Sequence, residues 1–316
     1  MPTVVITEPI DLAGVDLLKT NDVEVISLPP GSREDDLQTV IARADALITR
    51  GGMKVTRELM ASSPRLRAIG VHGIGCDHVD LTAARELGKT VLNTPDALTV
   101  TVAEMAVAML LAATRRVAAA DRAVRVGEWS RKYRDLVGVE LAGKIVGLVG
   151  MGRIGAETAR RLRSFDVTLL YWSRTRHSQL EAELGIAYSE LTDLLARSDV
   201  VSLHVPGTKE THHLIGEAEL ATMKPTAILV NTARGRVVDE VALVEALRHG
   251  RIAGAALDVF ETEPLPRDSP LTSMENVVLA PHLSASSKEA MQRMAKQVAQ
   301  GILDVISGKE PANRVV

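Results

Sequence analysis

A chain of 316 residues with 37 Lys and Arg against 40 Asp and Glu has a formal net charge of -3, so no basic field draws it to nucleic acid or an anionic membrane. Its 46% hydrophobic and 24% charged residues place it among globular proteins of about two domains and exclude disorder, collagen repeats and a disulfide scaffold. The longest apolar run, Met105 to Ala113, falls far short of the roughly 18 residues that cross a bilayer. Strands are expected at Thr3–Thr7, Val23–Ser27, Ala46–Thr49, Leu66–Val71 and Thr90–Leu92. A helix follows at Val102–Thr114. Further strands are expected at Lys144–Val149, Val167–Trp172, Val200–His204, Ala227–Val230, Ala253–Leu257 and Val277–Leu279. Helical patterns separate most of them, as at Ala156–Arg163, Leu191–Ala196 and Glu240–Leu247, and one at Ser286–Ile306 comes last. Continuous apolar strands alternating with helices argue for α/β architecture with parallel sheets covered on both faces.

The start, Met-Pro-Thr-Val-Val-Ile, has no basic region ahead of an apolar one and reads as a strand, not a signal peptide. Cys76 is the single cysteine, can form no internal disulfide and reads as a small core residue; a cytoplasmic location is expected. Aromatic residues at 2% offer few platforms for stacking single-stranded nucleic acid. Between the two groups of strands, Arg115 to Asp135 is rich in charge and reads either as a solvated helix face or as a dimer arm or anion-attracting rim.

The strand Lys144–Val149 runs into Gly150-Met151-Gly152-Arg153-Ile154-Gly155, a G-x-G-x-x-G run that opens a helix. The first glycine permits the tight turn, the second lets the backbone approach a pyrophosphate, and the third packs helix on strand. The next strand ends at Ser173-Arg174-Thr175-Arg176, where an NAD site would carry an Asp or Glu for the ribose 2′-OH. With no carboxylate before Glu181, Arg174 and Arg176 suit a 2′-phosphate, so NADP(H) is favoured and NAD(H) stays open.

Three later segments set polar residues at strand ends: Asn231-Thr232-Ala233-Arg234-Gly235-Arg236, Asp258-Val259-Phe260-Glu261-Thr262-Glu263-Pro264, and Pro281-His282-Leu283-Ser284. Ligands in open α/β sheets lie beyond the carboxyl ends of the strands, which lets Arg234, Glu263 and His282 converge over a cofactor. With Gly73-Ile74-Gly75-Cys76-Asp77-His78-Val79-Asp80, Asn93-Thr94-Pro95, Val102-Ala103-Glu104 and Leu203-His204-Val205-Pro206 followed by Thr211, the chain resembles the D-isomer-specific 2-hydroxyacid dehydrogenases over nearly its whole length.

That resemblance implies two Rossmann-like, doubly wound parallel-sheet domains with an interdomain cleft. The substrate domain would be discontinuous, 1–95 plus 288–316, and the dinucleotide domain would be 96–287. Arg234 would hold the substrate carboxylate and polarise the carbonyl, and His282 would be the general acid and base. Glu263 would hydrogen-bond His282 and favour its charged form. Ile74 and Gly75 would offer backbone N–H groups to the substrate. Cofactor contacts would come from Gly150, Gly152, Arg153, Ile154, Gly155, Ser173, Arg174, Thr175, Val205, Pro206, Thr211, Thr232, Ala233, Asp258 and Ser284. The implied reaction is NAD(P)H-dependent reduction of a small 2-oxo acid to its D-2-hydroxy acid by a homodimer, with glyoxylate or hydroxypyruvate the leading substrate.

Other readings stay open: a family dehydrogenase acting on phosphoglycerate, D-lactate or a bulkier acid, or a dinucleotide-sensing protein like the corepressors that share the triad. Glu263 distinguishes the chain from the similar formate dehydrogenases, which pair their histidine with Gln. Gly207 departs from the Leu common after Val205-Pro206 and is expected to loosen that loop. The end at Val316 sets the expectation that no regulatory domain is appended. His72 reads as a plain loop residue, with substrate contact as the sharper alternative. His212 and His213 match no metal-ligand spacing, and no H-E-x-x-H or C-x-x-C occurs, so no metal is expected. The lack of a G-x-S-x-G elbow disfavours a hydrolase.

Overall fold

The chain begins with β1 (Thr3–Ile6), α1 (Leu12–Lys19), β2 (Glu24–Ser27), α2 (Glu34–Ile41) and β3 (Ala46–Thr49). It continues with α3 (Arg57–Ala61), β4 (Ala68–Val71), α4 (Leu81–Glu86) and β5 (Thr90–Leu92). Next come α5 (Thr99–Thr114), α6 (Val117–Arg125), β6 (Ile145–Val149), α7 (Arg153–Leu162), β7 (Thr168–Trp172), α8 (Ser178–Leu184), β8 (Ala187–Tyr188) and α9 (Leu191–Arg197). The last elements are β9 (Val200–Leu203), α10 (Glu217–Thr222), β10 (Ile228–Asn231), α11 (Glu240–Arg248), β11 (Gly254–Leu257), β12 (Val277–Leu279) and α12 (Lys288–Ile306). This computed structural model describes residues 1–316 as two units, Met1–Leu98 with Ala285–Val316, and Thr99–Ser284.

In the first unit, five parallel strands lie in the order β2-β1-β3-β4-β5. Their alternate side chains feed two cores. Val5, Leu47, Ile69 and Val91 pack with α2, α3 and α4, while Val4, Ile6, Ala46 and Ala68 pack with α1 and α12. Helix α12 shows its buried face at helical spacing, Ala290, Met294, Val298 and Ile302. Ser287 caps it by accepting the Ala290 N–H at 3.1 Å.

The second unit carries seven parallel strands in the order β12-β11-β10-β9-β6-β7-β8. Helices α9, α10 and α11 cover one face; α5 and α7 cover the other. Six strands were expected here. The seventh, β8, is two residues long at the sheet edge, too short to show a period. Helices α5 and α7 begin three residues earlier than expected, at Thr99 and Arg153. No helix is long and apolar enough to cross a membrane.

Candidate active site

Strand register brings the functional loops of the second unit into line. Val149 of β6 pairs with Leu203 of β9, Leu203 with Asn231 of β10, Asn231 with Leu257 of β11, and Leu257 with Leu279 of β12. The next residues, Gly150, His204, Thr232, Asp258 and Ala280, therefore leave the sheet side by side at its carboxyl edge. The strand order reverses between β6 and β9, the switch point where an open sheet binds its ligand.

Each glycine of the loop after β6 has a separate steric reason. Gly150 has φ 106°, and a Cβ there would stand 2.7 Å from the His204 carbonyl carbon. A Cβ on Gly155 would overlap the Gly150 carbonyl, so helix α7 could not pack as closely. Gly152 faces open space, with nothing within 4 Å of where its Cβ would be. The peptide N–H groups of Met151 and Gly152 find no acceptor in the chain. These groups and the start of α7, with Arg153 and Ile154 in its first turn, form a cradle that suits a pyrophosphate. Thr232 Oγ1, buried and without a partner at the end of β10, is consistent with a further contact to the same cofactor.

The end of β7 corrects one expectation. Arg176 is committed to Glu181, with Nε and Nη2 both 2.8 Å from its carboxylate, and lies over the Tyr188 ring. Glu181 also accepts from Tyr171 Oη at 2.8 Å, and these bonds hold its carboxyl down to about 2. The first carboxylate after the strand thus neutralises Arg176 instead of meeting a ribose. Arg174 is exposed, with Glu210 within electrostatic reach. Ser173 donates to the Thr175 carbonyl and closes the turn.

On the other side of the switch point, Val205 is buried and Pro206 exposed. Thr211 Oγ1 donates to the Pro206 carbonyl at 2.6 Å and accepts the Thr208 N–H at 2.8 Å, so it braces this loop. Gly207 of this loop has a steric reason of its own. A Cβ there would meet Arg236 Nε at 2.6 Å and Arg234 Cγ at 3.0 Å.

Arg234, Glu263 and His282 come together on this unit. His282 follows β12 with a left-handed backbone, φ 50°, and its Nδ1 lies 2.7 Å from Glu263 Oε2. That hydrogen bond raises the His282 ionisation above the ordinary histidine value, against the opposing pull of burial. Burial works to raise the Glu263 carboxyl, but the bonds from His282 and the Phe260 N–H outweigh it and leave it below the usual carboxylate range. The Arg234 charge is felt by both groups. Arg234 is half-buried, and its Nη1 donates to the Ala233 carbonyl at 2.7 Å.

Asp258 and Ser284, expected among the cofactor contacts, are bonded to each other. Asp258 is fully buried and accepts the N–H groups of Leu283 and Ser284, both at 2.8 Å, together with the Ser284 hydroxyl. Its own carbonyl takes the His282 N–H at 2.8 Å. The pair anchors the turn that presents His282. Sequence reasoning passed over Asn231, which is buried and grips the Arg234 turn: its Nδ2 donates to the Arg234 carbonyl at 2.9 Å, and its Oδ1 accepts the Ala233 N–H at 3.0 Å. An asparagine ending a strand was the available signal. His204 was also missed; it hydrogen-bonds Ser202 at 3.0 Å, and burial lowers it to about 4.

On the first unit, the loop after β4 holds Ile74 and Gly75. Their N–H groups have no acceptor in the chain, whereas the Ile74 carbonyl accepts from Asn93 at 2.9 Å and the Gly73 carbonyl from Thr94 N–H at 2.8 Å. His72 opens this loop and is buried at 4% exposure, and burial, with Arg50 nearby, lowers it to about 4. Cys76 is half-buried at the margin of a core.

The family profile described as "D-isomer specific 2-hydroxyacid dehydrogenase, NAD binding domain" matches residues 107–284. The chain belongs to the D-isomer-specific 2-hydroxyacid dehydrogenase family. It is 46% identical to a glyoxylate reductase of Thermofilum pendens, covering 98% of this chain and 93% of that one. The crystal structure of the TT0316 protein from Thermus thermophilus superimposes with a TM-score of 0.93 at 39% identity, covering 99% of this chain and 100% of that one. An NADPH-dependent glyoxylate/hydroxypyruvate reductase of Sinorhizobium meliloti, crystallised with NADP and malonate, superimposes with a TM-score of 0.86 at 32% identity, covering 100% of this chain and 97% of that one. As a member of this dehydrogenase family the protein is an oxidoreductase whose cofactor is a nicotinamide dinucleotide.

Proposed function

We propose that this protein reduces a small 2-oxo acid, glyoxylate or hydroxypyruvate, to the corresponding D-2-hydroxy acid in the cytoplasm, with NADPH preferred over NADH. The observation that carries the reading is the His282–Glu263 hydrogen bond beside Arg234, at the strand ends that border the glycine loop. The dinucleotide, when bound, supplies the hydride. The protein's own residues supply charge, position and the proton.

Arg234 pairs with the substrate carboxylate and draws electron density toward the carbonyl oxygen. His282, kept protonated by Glu263, donates its Nε2 proton to that oxygen, and in the oxidative direction the neutral imidazole takes it back. Met151, Gly152, Arg153 and Ile154 would hold the pyrophosphate, with Thr232 toward the nicotinamide half. Val205, Pro206 and Ala233 line the intervening stretch, and Ser173, Arg174 and Thr175 the ribose 2′ position. The donor pair Ile74 and Gly75 is the anion-binding element of the first unit.

Support for glyoxylate or hydroxypyruvate comes from relatives so named at 46% and 32% identity. A homodimer is part of the reading, supported by four exposed apolar residues close in sequence, Val126, Trp129, Tyr133 and Val137. Dinucleotide oxidation followed with a panel of 2-oxo acids tests the function. Turnover highest with two- and three-carbon acids is expected, and a preference for bulky acids or for phosphoglycerate would replace the substrate.

A further inference from the structure

The segment carrying Glu263 is held at Glu261 by a histidine that takes no part in the proposed proton transfer. His213 has a left-handed backbone, φ 51°, and its Nε2 lies 2.5 Å from Glu261 Oε1. Its Nδ1 faces Asp239 Oδ2 at 3.7 Å, and the His212 ring stacks on it with centroids 4.0 Å apart. The His213 N–H donates to the Arg236 carbonyl at 2.8 Å, in the turn that starts at Arg234. This turn lies against the Glu263 segment so closely that a Cβ on Gly235 would overlap the Phe260 carbonyl. Glu261 is held a second time, its N–H donating to Glu240 Oε2 at 3.2 Å. Through its ring and its peptide, one residue ties together the segments that bear Arg234 and Glu263.

We propose that His213 is a positioning residue: by clamping Glu261 it keeps Glu263, two residues further on, in register with His282 Nδ1. The inference rests on the reading of His282 as proton donor and deepens it. Only Thr262 separates the clamped carboxylate from the working one, so little slack is available to absorb a shift at Glu261. The charged groups facing His213 are Asp239 from the N-terminus of α11 and Glu261, with Glu240 behind Glu261.

The test follows the His282 imidazole by NMR in cofactor-free protein labelled at histidine, with kinetics alongside. In His213→Ala the His282 titration moves down by about half a pH unit or more, because the Glu263 bond that raises it is loosened. The kcat for 2-oxo acid reduction falls about 5- to 10-fold while the dinucleotide KM stays within about twofold. His213→Gln, which retains a donor toward Glu261, recovers most of both effects. Glu261→Ala reproduces them, and the double variant adds nothing to either single one. Should His213→Ala fail to fold, Glu261→Ala gives the same comparison from the other partner of the bond. An unmoved His282 titration overturns the proposal whatever the activity. So does a raised dinucleotide KM with kcat intact, which would assign His213 to the Thr208–Thr211 loop. A wild type that reduces no 2-oxo acid, yet whose His282 titration responds to His213→Ala, refutes the enzymatic reading and upholds the clamp.

Discussion

Glu263 divides its carboxylate between two donors: Oε2 stands 2.7 Å from His282 Nδ1, and Oε1 accepts the Phe260 N–H at 3.0 Å. The second bond fixes the carboxylate plane, so the first can fix the imidazole. With Nδ1 turned to Glu263, Nε2 is the nitrogen left to serve a reacting oxygen.

The pH dependence follows from the sign of the His282 shift. The Glu263 bond raises its ionisation above the ordinary histidine value. Reduction needs the imidazolium, so kcat is level at lower pH and declines as pH rises through the raised value. Glu263→Gln removes the main raising cause and moves the declining limb to lower pH. Rates measured between roughly pH 5 and 9 locate that limb, and one that stays in place would show that Glu263 does not govern His282.

Arg234→Lys keeps the charge and loses the planar fork. KM for the 2-oxo acid rises and kcat falls together, by about 10-fold or more in kcat/KM. Amides of the same acids are poor substrates for the wild type. If an amide reacted as well as its free acid, Arg234 would have no carboxylate to hold.

Gly207 lies against both arginines of the neighbouring turn, with room for no Cβ unless Arg236 or Arg234 moves. Gly207→Leu pushes the Arg234 side chain from its place and raises the 2-oxo acid KM about 10-fold, the scale of a small misplacement at a reacting centre. Steady-state kinetics with the acid varied at saturating dinucleotide measures it. An unchanged KM would mean that Arg234 relaxes freely around the new side chain.

The proposed preference for NADPH falls to Arg174, since Arg176 is taken by Glu181. A charge-assisted bond from an exposed guanidinium to the 2′-phosphate is worth about 10-fold in favour of NADPH. Ser173→Asp with Arg174→Ala restores a ribose acceptor, removes the phosphate partner and reverses the ratio. The comparison is kcat/KM for both dinucleotides at one saturating acid, and a wild-type ratio favouring NADH would contradict the assignment.

Strands were legible because buried parallel strands are continuous runs of Val, Ile and Leu, as in Ile145–Val149. The edge strand Ala187–Tyr188 was not, since two partly exposed residues carry no period. Helix starts were read late at Arg153 and Thr99 because the single apolar residue in each first turn, Ile154 or Val100, shows no helical period by itself. At the site, the resemblance supplied Arg234, Glu263 and His282, and the strand-end pattern explained why they could meet. What stayed hidden were partnerships across distance: His213 with Glu261, 48 residues apart, and Asp258 with Ser284, 26 apart. Arg176 and Glu181 are only 5 apart, yet their pairing depends on a turn geometry that residue types alone do not specify.

In the proposed function, His282 delivers the proton in reduction of a small 2-oxo acid. Its most direct test is NADPH oxidation on adding glyoxylate, with wild type and His282→Ala purified in parallel and dinucleotide binding measured separately. Turnover by the wild type is expected, with a loss of about 10²- to 10⁴-fold in kcat in the variant and dinucleotide affinity nearly unchanged. Equal turnover by both proteins, or none by the wild type with glyoxylate or any other 2-oxo acid, would contradict it.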